Sequence, residues 1–210
     1  MTEYGGNWLN TRLAQLPQKH QVLVCSCATT RLFPIFRRLA KDDPEVRLDL
    51  AENALKLIWR WLEDDTCDRA DLLAILEQIS KFLPEGSITP AEFAVGCAED
   101  FVGALAAVVN VLLDAKNSGG NSALRLAIDS VWQFAIENQP EEILVIESPK
   151  LREPDIWKDD HIQNELTRQL RDIGDVEQAF GNGEVLDVSI FRQRAESEDA
   201  FDLASFSWPM

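Results

Sequence analysis

The stretch FAVGCAEDFVGALAAVVNVLLDA, residues 93–115, decides the fold that this sequence predicts. Its apolar residues do not keep to one face of a helix but cover most of its circumference. A helix that is apolar nearly all round is buried among other elements. Thr89 followed by Pro90 is a strong start signal, because threonine caps a helix and proline fits its first turn. The sequence therefore predicts a central helix that other helices enclose.

Three polar side chains interrupt this predicted helix: Glu99, Asp100 and Asn110. They share one narrow stripe with small residues such as Gly103. One interpretation is that the stripe meets water, or a neighbouring helix that the small residues allow to approach. The other is that it forms the floor of a ligand-binding groove along residues 91–116. Glu99 and Asp100 diverge by about 100°, which does not suit a converging acid–base pair, so the first interpretation is favoured.

The segments on both sides of the central helix repeat the helical period. One apolar face, for example, is formed by Leu50, Ala54, Leu57, Ile58 and Trp61. Pro34 lies in another such segment, which it either kinks or divides, and a last long helix is predicted over residues 154–173. EEILVIESP is ambiguous between strand, helix and extended connection. We predict an all-α fold, a single compact bundle of six to eight helices over residues 1–182 with an acidic C-terminal tail over residues 183–210.

The charge of the chain is strongly negative and unevenly distributed. The formal net charge is −16. Residues 137–210 hold 18 acids and 7 bases, whereas residues 1–136 hold 18 acids and 13 bases. Such a surface repels nucleic-acid phosphates, so we expect no nucleic-acid partner. A basic protein is the natural partner for it.

The sequence also gives an expectation for location. Its longest apolar run is well short of the roughly 20 residues that span a bilayer. The N-terminal residues MTEYGGNW have no basic-then-apolar signal pattern. We therefore expect a cytoplasmic protein that does not interact with a membrane.

No complete catalytic motif is present, so an enzyme is the less favoured class. The four cysteines, Cys25, Cys27, Cys67 and Cys97, lack paired zinc-ligand spacing and have apolar neighbours, so we predict mostly buried, reduced thiols. His161 lies one helical turn before Glu165, beside Asp160. We interpret these three as a solvated face, although they are of the types that hold a metal weakly. No metal and no cofactor are predicted.

A basic cluster stands out in this acidic chain. Arg31, Arg37 and Arg38 lie close together, followed by Lys41 and Arg47. They are a candidate anion site for a ligand or an acidic partner. The favoured interpretation is structural: they lie on an outward helix face and pair with nearby acids, namely Asp42, Asp43 and Glu45.

The tail ends in ESEDAFDLASFSWPM, which alternates acids with large apolar groups. Its candidate anchors are Phe201, Leu203, Phe206 and Trp208. Segments of this kind often stay mobile alone and insert an aromatic anchor into a partner. The alternative is that the tail folds back over an apolar patch of its own bundle. The sequence leaves both open.

Four stretches carry a family resemblance: LAQLPQKHQVLVCSCATTRLFPIFRRLA, ALKLIWRWLED, LEQISKFLPE and CAEDFVGALAAVVNVLL. In order and spacing, over residues 9–173, the chain resembles the YjaG-like family of uncharacterised small bacterial proteins. The resemblance implies an all-helical cytoplasmic bundle. It implies no activity and no catalytic residues, and the acidic tail after Gly183 departs from the family pattern.

Two classes of function follow. The leading hypothesis is a non-enzymatic protein-binding module, such as an immunity or antitoxin-like protein that binds a basic partner. The alternative is a small-molecule- or metal-binding bundle, enzymes included, that uses the groove on residues 91–116. A homodimer formed through exposed aromatic side chains is a third possibility.

Overall fold

The computed structural model describes residues 7–42, 47–64, 66, 68–79, 92–113, 120–137, 157–198 and 200. These residues form eight α-helices and no strand. The helices are α1 (Asn7–Ala14), α2 (Gln18–Asp42), α3 (Leu48–Asp64), α4 (Arg69–Ile79), α5 (Glu92–Leu113), α6 (Gly120–Glu137), α7 (Asp160–Asn182) and α8 (Val188–Ser197). The predicted all-α bundle is confirmed, whereas EEILVIESP lies outside the described residues.

Helix α5 is the centre of the bundle, as its sequence predicts. It packs most extensively against α6 and α2, and its contacts extend to α3 and α4. Phe101, Val108 and Val109 on α5 have no exposed surface. The window Gly96–Leu113, with a mean hydropathy of 1.6, has the length and composition of a membrane span, a property that buried core helices share, and 56% of it is buried inside the bundle.

An aromatic cluster joins α5 to α2. The ring centroid of Phe101 lies 4.6 Å from that of Phe36 and 5.6 Å from that of Phe33. Trp59 of α3 is also buried there, and its indole Nε1 donates a hydrogen bond of 3.2 Å to Thr30 Oγ1. Large rings that interlock in this way bury much apolar surface for little conformational entropy.

Helix α2 runs unbroken through Pro34. Of the two predicted alternatives, a kink or a division, the division of the segment at this proline is therefore wrong. Proline cannot donate the helical hydrogen bond to the carbonyl four residues earlier, but packing on both sides of the helix holds it together. The backbone N–H of Ala200 donates to the carbonyl of Arg31 in the same turn, at 3.1 Å, so the chain that follows α8 reaches α2 at the proline.

Helix α6 begins at Gly120. Gly120 is buried because its Cα meets α1 and α2. A Cβ atom there would lie 3.1 Å from Cys25 Sγ and 3.2 Å from Leu13 Cδ2. The Cys25 thiol donates to the Gly120 carbonyl at 3.3 Å. The glycine therefore serves the close approach of three helices.

Helices α7 and α8 form a hairpin on one side of the bundle. Helix α7 runs to Asn182, farther than the predicted residue 173, because Gly183 (φ 67°) closes it with hydrogen bonds from its N–H to the carbonyls of α7's last turn. Asp187 caps α8 by accepting from the N–H of Ser189. Helix α8 packs on α2 and α3 and buries Phe191. Within the described part of the predicted tail, Val188–Ser197 is thus a helix that packs on the bundle.

Replacing Phe101 by alanine should lower the free energy of unfolding by about 3–5 kcal/mol, because the cavity lies between α2 and α5 where the rings leave little room to collapse. Urea denaturation at neutral pH measures the loss. Leu73 is 49% exposed on α4, so Leu73→Ala is the matched control and should cost less than about 0.5 kcal/mol. Equal losses at the two positions would contradict the central role of α5.

Candidate functional site

Arg31 is the most buried charged residue on α2, and it pairs with two carboxylates of α7. Its Nε and Nη2 donate to the two oxygens of Glu165 at 3.0 and 2.9 Å, and its Nη1 donates to Asp172 Oδ2 at 2.8 Å. The three side chains are at most 1% exposed. We call this group the buried ion cluster.

The spacing on α7 explains how the buried ion cluster forms. Glu165 and Asp172 are seven residues apart, which is about two helical turns, so both face inward on one stripe. Gln169 lies between them and donates both to Leu124 O of α6 and to Glu165 Oε1, at 3.1 and 3.0 Å. The prediction that the polar face of this helix is solvated is wrong for Glu165, because the stripe is buried against an arginine.

A second layer of arginines surrounds the buried ion cluster and ties α8 to it. Arg171 makes a bidentate pair with Glu198, just after α8, at 2.7 and 2.8 Å. Arg194 of α8 lies 2.8 Å from Asp172 Oδ1. Asp172 therefore contacts three arginines from three helices, and it orders the α7–α8 hairpin on α2.

Arg31 has a structural role, because its charge is already neutralised within the fold. Burial by itself would lower its pKa, but Glu165 and Asp172 outweigh burial and raise the pKa above its usual value. Arg31 is thus permanently charged and already neutralised. The expected outward position of Arg31 is wrong: Arg37 and Arg38 are exposed whereas Arg31 is buried. The structure does not bring the three predicted anion-site residues together.

Arg31→Met should lower the free energy of unfolding by about 3–5 kcal/mol, because it leaves buried carboxylates without their cation. The double variant Arg31→Met with Glu165→Met should recover at least half of that loss, since Asp172 keeps Arg171 and Arg194 as partners. Urea denaturation of both variants tests this, with exposed Arg60→Met as the control. No recovery in the double variant would mean that the loss comes from the shape of Arg31 rather than from unpaired charge.

The polar stripe of α5 contacts α6. Asp100 Oδ2 accepts from Ser130 Oγ at 2.9 Å and from Gln133 Nε2 at 3.2 Å. Glu99 is exposed. Asn110 lies ten residues beyond Asp100 along the helix, which is about 15 Å by the helical rise. The structure therefore does not bring the three residues of the predicted groove together. Asp100 instead contacts Ser130 and Gln133 of α6, two residues that sequence reasoning did not single out.

Burial raises the pKa of Asp100 to about 6, against the opposing effect of the Ser130 hydroxyl, and the nearby charges of Asp129 and Glu99 add to the rise. The fold therefore favours the protonated form of Asp100. The contribution of this protonated carboxyl group to the free energy of unfolding is lost as the pH rises from about 4 through about 6. Asp100 is thus a half-buried carboxyl group whose pKa is raised chiefly by burial.

Relative to the unmodified protein, Asp100→Asn should raise the free energy of unfolding by about 1 kcal/mol more at pH 7 than at pH 4. This value is reduced for the partial exposure of the carboxyl group. The amide can accept the same two hydrogen bonds and carries no charge to desolvate. Urea denaturation at both pH values measures the change. Exposed Glu184→Gln is the control, and a pH-independent effect of Asp100→Asn would show that its charge is not penalised in the fold.

The predicted metal-type residues do not converge. His161 Nδ1 lies 3.2 Å from Asp159 Oδ1 and its ring packs edge-on against Phe134, whereas Glu165 faces Arg31. Within the described part of the chain, no group of three His, Cys, Asp or Glu side chains is arranged to hold a metal ion. Cys25, Cys27 and Cys97 are free and buried, and burial raises the pKa of each thiol.

A cleft of about 660 Å³ lies between the start of α2, the end of α3 and the α7–α8 connection. Its volume is in the range of ligand-binding and peptide-binding pockets. Its apolar lining is formed by Leu23, Leu62, Val185, Leu186 and Val188, and its polar lining by Lys19, His20, Glu63, Glu184, Asp187 and Ser189. We call this site the cleft.

One strongly exposed apolar side chain lines the cleft, and two more lie on the helices that flank it. Among the described residues, four large apolar side chains are strongly exposed: Leu73 at 49%, Phe180 at 51%, Val185 at 97% and Ile190 at 57%. Val185 is in the lining of the cleft, whereas Phe180 is on α7 and Ile190 is on α8. Phe180 packs against the His20 ring with centroids 5.5 Å apart. Burial, and secondarily Lys19, lowers the pKa of His20, which keeps this edge of the cleft neutral at neutral pH.

Sequence reasoning missed the cleft. Its signal lies in GNGEVLDVSI, where Val185, Leu186 and Val188 stand beside Glu184 and Asp187. The predicted tail begins in this stretch, so the sequence does not predict a concave site there. The predicted tail anchors, Phe201, Leu203, Phe206 and Trp208, lie outside the described residues.

Comparisons with known proteins agree on the fold. The sequence model of a family described as "Protein of unknown function (DUF416)" matches residues 9–184, from α1 to just past the end of α7. The crystal structure of a DUF416 family protein from Shewanella baltica OS155 superposes with a TM-score of 0.73 at 16% sequence identity, over 89% of this chain and 92% of that chain. A search of curated proteins gives no match.

Proposed function

This chain belongs to the DUF416 family of proteins of unknown function, and from its own structure we propose that it is a non-enzymatic protein-binding module that binds a basic partner at the cleft. The observation that carries the proposal is the exposed Val185 in the lining of the cleft, together with exposed Phe180, which packs against His20 of the same lining. Isolated exposed apolar residues are normal on a soluble surface, but several that adjoin a concave apolar site are typical of a binding surface.

The cleft offers an apolar anchor site within a rigid frame. Leu23 and Leu62 come from long helices and are almost fully buried. Gly183 and the Asp187 cap fix the connection that carries Val185 between two helix ends. A partner side chain that enters such a site loses little of its binding energy to ordering the receptor. This arrangement favours one central apolar anchor from the partner.

The rim of the cleft favours a basic partner. Glu63, Glu184 and Asp187 line it, against Lys19 as the one strongly basic residue of the lining. The net charge of −16 extends the same sign over the whole molecule. Complementary charge raises the association rate and disfavours acidic competitors. A basic segment with an exposed apolar side chain would therefore bind faster and more tightly than a neutral one.

We favour an immunity or antitoxin-like role in the cytoplasm as the specific form of this function. The reason is that an acidic, compact bundle without a recognisable catalytic motif is the kind of protein that neutralises a basic toxin. Membership of the YjaG-like group is proposed on the quoted sequence stretches.

Val185→Ser and Phe180→Ser should each weaken partner binding by about tenfold, because each removes an apolar contact worth about 1.4 kcal/mol at the proposed interface. The full-length protein and its variants are used to capture proteins from the native lysate at low and high salt. The partner found is then purified and titrated by calorimetry. Val185 is almost fully exposed, so its replacement does not affect the fold.

Leu73→Ser is the matched control, since Leu73 is similarly exposed but lies on α4, away from the cleft. It should leave the affinity unchanged. Glu184→Gln should slow association and reduce its dependence on salt. An acidic partner, or a basic partner whose affinity ignores both cleft variants, would refute the proposal.

Asp100 supports a second candidate, a small-molecule site on the helix of residues 91–116. Its raised pKa and its contacts with Ser130 and Gln133 are features of a group that handles protons. Thermal unfolding across a metabolite panel tests this candidate. A ligand that stabilises the native protein but not Asp100→Asn would support it, and no shift with any compound would count against it.

A further inference from the structure

His20 contributes an imidazole ring to the lining of the cleft. It lies in the first turn of α2, where its backbone N–H donates to the carbonyl of Pro17 at 2.9 Å. Neither ring nitrogen has a hydrogen-bond partner among the described residues, and Nδ1 is buried. The few polar groups of a largely apolar pocket fix the orientation of what binds there. His20 is therefore a candidate for such a group.

The burial of Nδ1 selects one neutral form of the His20 ring. In neutral imidazole one nitrogen carries the proton and donates, and the other accepts. A proton on Nδ1 would bury an N–H without an acceptor, which folded proteins rarely tolerate. A proton on Nε2 leaves only an unpaired lone pair on Nδ1, and Nε2 is not enclosed in this way. The ring therefore presents an N–H donor to the cleft.

The surroundings of His20 keep the ring uncharged. The positive end of the α2 dipole disfavours an imidazolium in the first turn of the helix. Burial first, and Lys19 second, lower the pKa of His20. The carboxylates of the lining oppose this effect but are held by other residues, namely Glu63 by Arg192, Glu184 by Asn182 and Asp187 by Ser189. The donor that the cleft presents is thus a neutral one.

The neighbours of the ring indicate which acceptor it suits. Phe180 is 51% exposed and makes a T-shaped contact with the ring, and Val185 is 97% exposed in the same lining. An apolar side chain that packs on this surface brings the carbonyl oxygen of its own residue with it. A partner carboxylate is disfavoured, because the lining carries three carboxylates of its own. A main-chain carbonyl is the uncharged acceptor that any bound segment supplies.

We infer that His20 is the specificity-determining residue of the cleft: its Nε2–H donates to a main-chain carbonyl oxygen of the basic partner, beside the apolar side chain that packs on Val185. This inference rests on the proposed function, since it states how the cleft recognises that partner. Phe180 holds the ring in position through its T-shaped contact. An occupant that covers the ring without bringing an acceptor leaves the N–H unpaired, so the bond discriminates between occupants.

Nuclear magnetic resonance of the unmodified full-length chain tests the form of the ring, because the chain has only 2 histidines. The nitrogen chemical shifts of the His20 ring at neutral pH should show a proton on Nε2 and none on Nδ1. His161 is the control within the same molecule: its Nδ1 lies 3.2 Å from Asp159 Oδ1, so we expect a proton on that nitrogen. A proton on Nδ1 of His20 at neutral pH would overturn the inference.

Two short peptides test the bond itself. One is lysine–leucine–lysine and the other is serine–leucine–serine, both acetylated and methylamidated, and their binding is followed through the signals of Val185. His20→Phe keeps a ring against Phe180 but has no donor, so it should weaken the binding of each peptide by about tenfold. His20→Gln keeps an N–H donor and should leave the affinity nearly unchanged. The reverse order, with Phe tolerated and Gln not, would mean that the ring only packs, and the inference would be wrong.

The two peptides also separate this inference from the proposed function. A lysine peptide that binds His20→Phe as tightly as the unmodified chain would overturn the inference and leave the basic partner in place. A serine peptide that depends on His20 and binds as tightly as the lysine peptide would support the inference and count against a basic partner. If neither peptide shifts the signals of Val185 and His20, the inference is overturned, whereas partner capture with Val185→Ser still decides the proposed function.

Discussion

Asp172 is the point on which the peripheral half of the structure depends. Three arginines, from α2, α7 and α8, contact its carboxylate, and two of them also pair with Glu165 or Glu198. A buried charge is tolerated only when it is paired and hydrogen-bonded. Each of the three helices must therefore hold its position for the others to be neutralised, and an alternative docking of the α7–α8 hairpin would leave charge uncompensated.

The apolar core and the buried ion cluster have complementary tasks. Around α5, the rings of Phe33, Phe36 and Phe101 supply apolar burial, which is strong but not directional. Charge pairs add little net stability when both partners are buried, but the bidentate geometry of Arg31 and Glu165 fixes one orientation. The core thus accounts for the collapse of α2, α5 and α6, and the ion cluster accounts for where α7 and α8 lie on them.

Helix α8 connects the features that we associate with function. Its N-terminal cap and first turn border the cleft, and its inner face carries Phe191 and Arg194 to the core and the ion cluster. A short helix has little stability by itself, so α8 depends on these contacts.

The sequence by itself determined the helices and the central place of α5, because both follow from the period of apolar residues within one segment. It also determined the acidic character of the surface and the absence of the familiar catalytic motifs. The sequence predicted helix ends less well: α7 extends beyond residue 173 to Asn182, because Gly183 closes it in the left-handed conformation.

Only the tertiary structure decided which polar residues are inside. Arg31 and Glu165 are 134 positions apart, and Arg31 and Asp172 are 141 apart, so no local pattern distinguishes them from the surface charges Arg37 and Arg38. The same holds for Asp100, whose partners Ser130 and Gln133 are on another helix, and for the cleft, which three separate segments form. A helix specifies which residues share a face, whereas the partner of that face depends on how the whole chain packs.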